Sequence, residues 1–541
     1  MKSNVVCQSN RNPCFMIRGW DLERFDPDYV IQRIREAKDY GINTISLSHE
    51  IVMNAEEILY DWHRYKHLRR FCDEAHKYDM KVYLWNHQIN NPPEELVIRD
   101  PKTGDLLLDF DNPKLWDWLF VRYQRVVDRV PNMDGIILSL TESEWQIHRG
   151  PYDPYWFRKS RRVKSEMSPD QRMAKVIRTI YESLATRGKR LIVRDFFRTP
   201  TEMNYFVKAM ENVPEEVWVL TKCVPNDWQY KYPPHPLLGK FKSRKQIMEL
   251  DLYNEIGGNL NTIFLAPEYY KKQIQMARDL GLAGVIARLD DGFHTNKGTA
   301  KEFNVFVYNR LIHDPDADIE PMWMEFFLPY YGNEKAAKVA IKCLKRTFDM
   351  VCANAYTLGF WTGSCAPPLS YTDSHLEHHS TAIWSDDPKY AEIDRLLKEG
   401  GPEAIKRTVA EKKMAEALAA KSLKELEAAK EHFDPEKYLE IVGYFEESLQ
   451  QARINQIWVR AYYALRYYRN HPESTEAKEE AEVALKALDD FIAAQPTVPQ
   501  TPYQETLTPE ELKRFFLGGL ERFREEMQQA IEKIAAYASK C

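Results

Sequence analysis

The chain has 541 residues, which at about 150 residues per domain suits either three or four small domains or one large barrel with an appended unit. Its 75 Lys and Arg against 81 Asp and Glu give a net charge of −6, with 44% hydrophobic and 29% charged residues, which excludes a disordered or collagen-like chain and leaves no bulk positive charge for nucleic acid. No run of about 18 apolar residues suggests a membrane span, the first residues carry no apolar leader core, and the eight cysteines form no Cys-x-x-Cys pair, so reduced thiols and a cytoplasmic location are expected.

Up to about residue 315, short apolar runs alternate with amphipathic stretches, the pattern of repeated βα units. Strands are predicted near Phe15–Trp20, Asn43–Ser48, Lys81–Asn86, Gly135–Leu140, Arg190–Phe196, Val217–Lys222, Ile247–Asn254 and Ala283–Leu289. Between them Pro27–Tyr40, Trp62–Lys77, Lys114–Val130, Pro169–Ala185 and Tyr269–Leu280 have a helical period. Eight such units predict a (β/α)8 TIM barrel over residues 1–315. In the seventh strand Met248, Leu250 and Leu252 alternate with Glu249, Asp251 and Tyr253, which suits a half-buried strand and leaves a helical turn as the alternative.

Residues 316–541 read as a C-terminal all-α domain, with helices over Pro402–Glu431, Pro435–Arg469, Glu473–Ala494 and Pro509–Lys540 and an irregular segment near 362–388. The Glu- and Lys-rich run 403–431 mixes both signs without sustained heptads and reads as a solvated helix face. The aromatic cluster from Ile457 to Tyr468 is larger than one helix contact covers, and a homodimer through these helices is expected.

Chemistry in such a barrel belongs at the C-terminal ends of the strands. There the fourth strand is followed by Glu142 and Glu144, the fifth carries Arg194, the sixth ends in Lys222 with Asp227 five residues on, and the seventh leads to Glu255. Each alone has an ordinary structural explanation: a solvated carboxylate, a helix cap, a turn residue or a snorkelling lysine. On one rim they meet two needs at once. Paired carboxylates can donate a proton to a leaving oxygen and activate water, while Arg and Lys can hold an anionic substrate.

The order of these segments resembles the α-glucuronidases of glycoside hydrolase family 67. The likeness rests on Arg18-Gly-Trp20-Asp21, Asp109-Phe-Asp-Asn-Pro113, Ser143-Glu144, Val193-Arg194, Lys222-Cys-Val-Pro-Asn-Asp227-Trp-Gln229, Gln246 to Glu255, Gly281 to Asp291 and Asn304 to Arg310. It implies an inverting hydrolase in which Glu144 is the general acid and Asp227 and Glu255 flank the attacking water, one or both as base. It also implies that Arg194 and Lys222 hold a uronic acid carboxylate and that Trp20 stacks near the sugar. In such enzymes the acid and base carboxyls lie roughly 6.5–9.5 Å apart. No metal or organic cofactor is implied, and the expected partner is an acidic oligosaccharide.

Two departures from the family stand out. Its usual domain before the barrel has no counterpart ahead of Phe15, and the lysine four residues before its acid is Leu140 here. The sugar or linkage therefore stays open to another acidic glycoside, Glu142 stays open as the acid, and a non-catalytic carbohydrate-binding protein is the reading from another class. The run His375-Leu-Glu377-His378-His379 fits no common zinc spacing. A histidine there, or Trp384, is expected to reach over the barrel mouth.

Overall fold

The computed structural model describes residues 14–149, 161–197, 199–255, 262–291, 295–361, 387–494 and 509–538. Eight parallel strands close into a barrel: β1 Ile17–Leu22, β2 Thr44–Leu47, β3 Lys81–His87, β4 Gly135–Ser139, β5 Arg190–Asp195, β6 Trp218–Lys222, β7 Gln246–Asp251 and β8 Gly284–Arg288. Each pairs with its sequence neighbour and β8 returns to β1, with Ile17 opposite Gly284 and Asp21 opposite Arg288.

The strands are apolar on both faces because both are buried. Facing outward, Leu84, Ile136, Leu138, Leu191, Val193, Val219, Met248, Leu250 and Val285 join the helices in the main core. Facing inward, Ile17, Tyr83, Trp85, Ile137, Ile192, Leu220, Ile247 and Ile286 form a separate cluster that fills the lumen. Side chains alternate along a strand with a period of two, so the inward face continues past this plug toward the strand ends. Its positions there are Asp21, His87, Ser139, Arg194, Lys222, Glu249, Asp251 and Arg288. A greasy plug thus supports a charged layer.

The same parity accounts for β7. All six of its residues are buried, so it is not the half-buried strand that the alternation suggested. Met248 and Leu250 face the helices, while Glu249 and Asp251 face the lumen above Ile247.

The mouth loops end sharply. Asp26-Pro27, Asn112-Pro113, Ser168-Pro169 and Thr199-Pro200 each place a capping residue before a proline in the first turn of the returning helix. A hairpin, Val97–Arg99 with Leu106–Asp109, adds Val163–Lys164 as a third strand beside the mouth loops. It was not expected from the sequence, since strands this short carry little periodicity.

After the barrel come the helices Glu320–Tyr331, Glu334–Leu344, Thr347–Ala355, Pro388–Glu399, Gly401–Glu427, Pro435–Asn470, Thr475–Ala493 and Pro509–Ala538. The region after the barrel is therefore helical, as expected. The helix Pro435–Asn470 serves two cores. Tyr438, Ile441, Phe445 and Ala452 belong to the core that surrounds the barrel, whereas Ile454, Trp458, Tyr462, Tyr463 and Tyr468 pack into a second one with Leu397, Leu485, Phe523 and Met527.

The aromatic cluster expected to form a subunit surface is therefore covered within the chain: Trp458 is 6% exposed, Tyr462 2% and Tyr463 0%. Helices from three directions supply the cover that one contact could not. The segment 362–388 lies outside the described residues up to 386, and with it His375, Glu377, His378, His379 and Trp384. Among the described residues no helix is long and apolar enough to cross a membrane.

Candidate active site

Arg194 and Lys222 stand on adjacent strands and both point into the mouth. Arg194 is nearly encased. Its Nε and Nη2 donate to the two carboxylate oxygens of Glu249 at 2.7 and 2.9 Å, and Nη1 donates to Glu142 at 3.1 Å. Its guanidinium also lies over the rings of Trp85 and Phe196, 4.6 and 4.8 Å from the centroids. Burial alone would push the Glu142 carboxyl up, but His87 and Arg194 outweigh it and hold the group well below the usual carboxylate range. Glu142 is thus kept ionised.

Lys222 sits between the rings of Phe196 and Trp228, 3.8 and 3.6 Å from their centroids, and its Nζ donates to Asp227 Oδ1. Arg288, whose guanidinium lies 5.6 Å from the centroid of the same Trp228 ring, donates to Glu255 Oε2 through Nη1 and reaches Glu23 Oε2 at 2.7 Å through Nη2. Asp227 and Glu255 are therefore treated alike. One oxygen of each rests against a cation, and the other has no partner among the described residues.

The local backbone is also alike. Asp227 follows Asn226 at φ 66° and Glu255 follows Asn254 at φ 73°, left-handed conformations that asparagine tolerates better than most residues. Asn254 is pinned there, accepting from Tyr230 Oη and Tyr270 Oη at 3.1 and 2.8 Å. The Glu255 N–H donates to Asp251 Oδ2 at 2.7 Å.

Glu144 is held differently. Its Oε2 accepts from the Asn91 N–H at 2.9 Å and its Oε1 pairs with Arg161 at 3.0 Å, so both oxygens are engaged. Its own N–H donates to Asn90 Oδ1 at 3.0 Å. Leu140, where the family has lysine, is fully buried in the core.

Trp20 is not in the mouth. Strand parity turns it outward, where it is fully buried beneath the helices, its Nε1 donating to Asn309 Oδ1 at 3.0 Å and its ring covered by Arg33 at 4.9 Å. The stacking role expected of it is corrected accordingly. The structure instead places Trp85, Phe196 and Trp228 against the mouth cations.

Several mouth residues were missed in the sequence. Asp21, Glu23, Glu249, Asp251 and Arg288 sit inside or just beyond apolar runs, and the signal that could have found them is parity: they share the inward face with the apolar plug. Burial, followed by the neighbouring Glu23 carboxylate, pushes Asp21 up to about 7, and burial pushes Asp251 to about 7 despite Arg288. Among the described residues, Asp21, Glu23 and His49 bring one ligand atom each within 4.8 Å of one another. Two carboxylates and an imidazole could suit a divalent transition ion. Arg288 already supplies a positive charge beside Glu23, and Ser48 Oγ donates to Asp21 Oδ2 at 2.8 Å.

A TIM barrel whose mouth presents carboxylates in this way, paired with cations and flanked by aromatic rings, has the equipment of a glycosidase. A model of the glycosyl hydrolase family 67 middle domain matches residues 24–297, just over half of the chain, and the chain belongs to that family. In structure it is similar to a mutant O-GlcNAc hydrolase of Thermobaculum terrenum, at 9% identity with 97% of each chain covered and a TM-score of 0.46. It is also similar to CpGH84D, at 10% identity over 96% of this chain and 76% of that one, with a TM-score of 0.42. No curated protein matches it in sequence.

Proposed function

We propose that the chain is an inverting, exo-acting α-glucuronidase that removes terminal glucuronic or 4-O-methylglucuronic acid from short oligosaccharides inside the cell. The observation that supports this most is the matched pair Asp227 and Glu255, each with one oxygen braced by a cation and the other open to a water. Water held between them attacks the anomeric carbon from the side opposite the leaving oxygen, through an oxocarbenium-like transition state. One of the two carboxylates takes the proton. Glu144 donates a proton to the leaving oxygen as the aglycone displaces Arg161, whose side chain is 45% exposed.

The uronate is received by Lys222 and Arg194. Lysine has three donors and arginine five, and Asp227, Glu249 and Glu142 together use only some of them. A second reading, hydrolysis of a different acidic sugar or linkage, is favoured by Leu140 and by the protein carboxylates that already face both cations.

Time-resolved proton NMR with a short 4-O-methylglucuronosyl xylo-oligosaccharide tests the proposal. The expected result is free uronic acid appearing first as the β-anomer. An α-anomer first would overturn inversion. No turnover of this substrate by the folded protein, with turnover of a galacturonide or another acidic glycoside, would replace the first reading by the second, and binding without turnover across the panel would leave a carbohydrate-binding protein.

A further inference from the structure

We infer that Arg288, at the end of β8, is a positioning residue that aims Glu255 at the attacking water. The inference deepens the hydrolase reading above and rests on it for the role of Glu255. Arg288 is 7% exposed, so its contribution is made within the protein. Its fork is divided among three acceptors: Glu255 Oε2, Glu23 Oε2 at 2.7 Å and the Asp290 carbonyl oxygen, which accepts from Nε at 3.1 Å. Glu23, 1% exposed, and the Asp290 backbone are rigid anchors, so the guanidinium has one orientation and Glu255 takes its place from it.

Glu255 needs such a guide. Its side chain is 38% exposed, and it lies beyond the last residue of β7, where strand pairing no longer fixes it. The backbone is secured separately by Asp251, which accepts the Glu255 N–H, and by Asn254. Arg288 secures the carboxylate. With Oε2 held, Oε1 is the oxygen left to accept a proton, which turns a mobile side chain into a directed base.

A merely structural role, neutralising buried Glu23, is the competing explanation, and the two separate experimentally. Arg288→Met alone strands Glu23 and can fail to fold. The double variant Arg288→Met/Glu23→Gln removes the charge with its buried partner, and Glu23→Gln alone keeps Arg288. The expected result is that kcat falls about 100-fold in the double variant, with little change in KM, as for a misplaced catalytic group, while Glu23→Gln falls far less. Added guanidinium restores part of the rate of the double variant and does nothing for Glu23→Gln.

A crystal structure of the double variant supplies a readout independent of substrate. Glu255 should leave its place while Asp227 keeps its own. An unmoved Glu255 carboxylate, or equal rate losses in Glu23→Gln and the double variant, would overturn the inference. If the wild type turns over no glycoside, the function proposed above fails, and the crystal structure still decides whether Arg288 places Glu255.

Discussion

Glu249 on β7 grips Arg194 on β5 across the intervening strand, through two parallel hydrogen bonds of 2.7 and 2.9 Å. Both residues are almost wholly buried, at 6% and 2% exposure. Such a pair is costly to halve and cheap to replace whole. Glu249→Ala should lower the unfolding free energy by about 3–5 kcal/mol, whereas Arg194→Met/Glu249→Leu should cost far less. Urea unfolding of the two variants checks this, and the double variant should also lose its preference for uronides over neutral glycosides.

Glu142 and Glu144 can be told apart by leaving group. If Glu144 protonates the departing oxygen, Glu144→Ala should lose about 100- to 10,000-fold in kcat on natural glycosides. It should lose much less on aryl glycosides, whose leaving groups need no proton. Glu142→Ala should weaken both classes alike, because its carboxylate serves Arg194 rather than the departing oxygen. Steady-state kinetics with the two substrate classes decide.

Asp21 links stability to pH. Its carboxyl is pushed to about 7 in the folded chain against 3.8 ordinarily, first by burial and then by Glu23. The folded state therefore holds a proton that the unfolded state releases, and stability falls as pH rises from about 4 to about 7, by roughly 1.4 kcal/mol per unit at most. Below that window both states are protonated and the penalty vanishes. Asp21→Asn should flatten this part of the curve, measured by denaturant unfolding at stepped pH, and should leave the protein more stable than the wild type at pH 8.

The two left-handed asparagines make a backbone prediction. Leucine at position 254 would meet the steric penalty of that conformation, about 1–2 kcal/mol, and would lose the bonds from Tyr230 and Tyr270. Asn254→Gly keeps the backbone and loses only the bonds. Asn254→Leu should therefore lower both Tm and kcat more than Asn254→Gly does, as thermal melts and single-turnover rates would record.

Much of the fold was legible because it depends on local pattern. All eight strands and five of the helices between them announced themselves through period, as Pro27–Tyr40 did. The site was legible where a charged residue ends an apolar run, as at Arg194 and Lys222. It was obscured where charge lies inside the run. Glu249 looked like the wet side of a half-buried strand because, in sequence, water and a charged lumen leave the same alternation. Trp20 misled in the opposite way: its neighbour Asp21 faces the mouth, and one residue along a strand reverses the face. Arg288 became visible only when closure of the barrel set β8 beside β1.

The helix Pro435–Asn470, with one half in each apolar core, works as a tie-rod. Its 36 residues span roughly 54 Å. Near its start Glu440 accepts the Ala300 N–H at 3.0 Å and the Tyr330 hydroxyl, clamping the chain beyond β8. Load applied to the distal helices is thereby carried to the barrel rim, close to the strand that bears Arg288. Heat should melt the two cores in one calorimetric peak, and a protease that cuts within the rod should slacken catalysis from a distance.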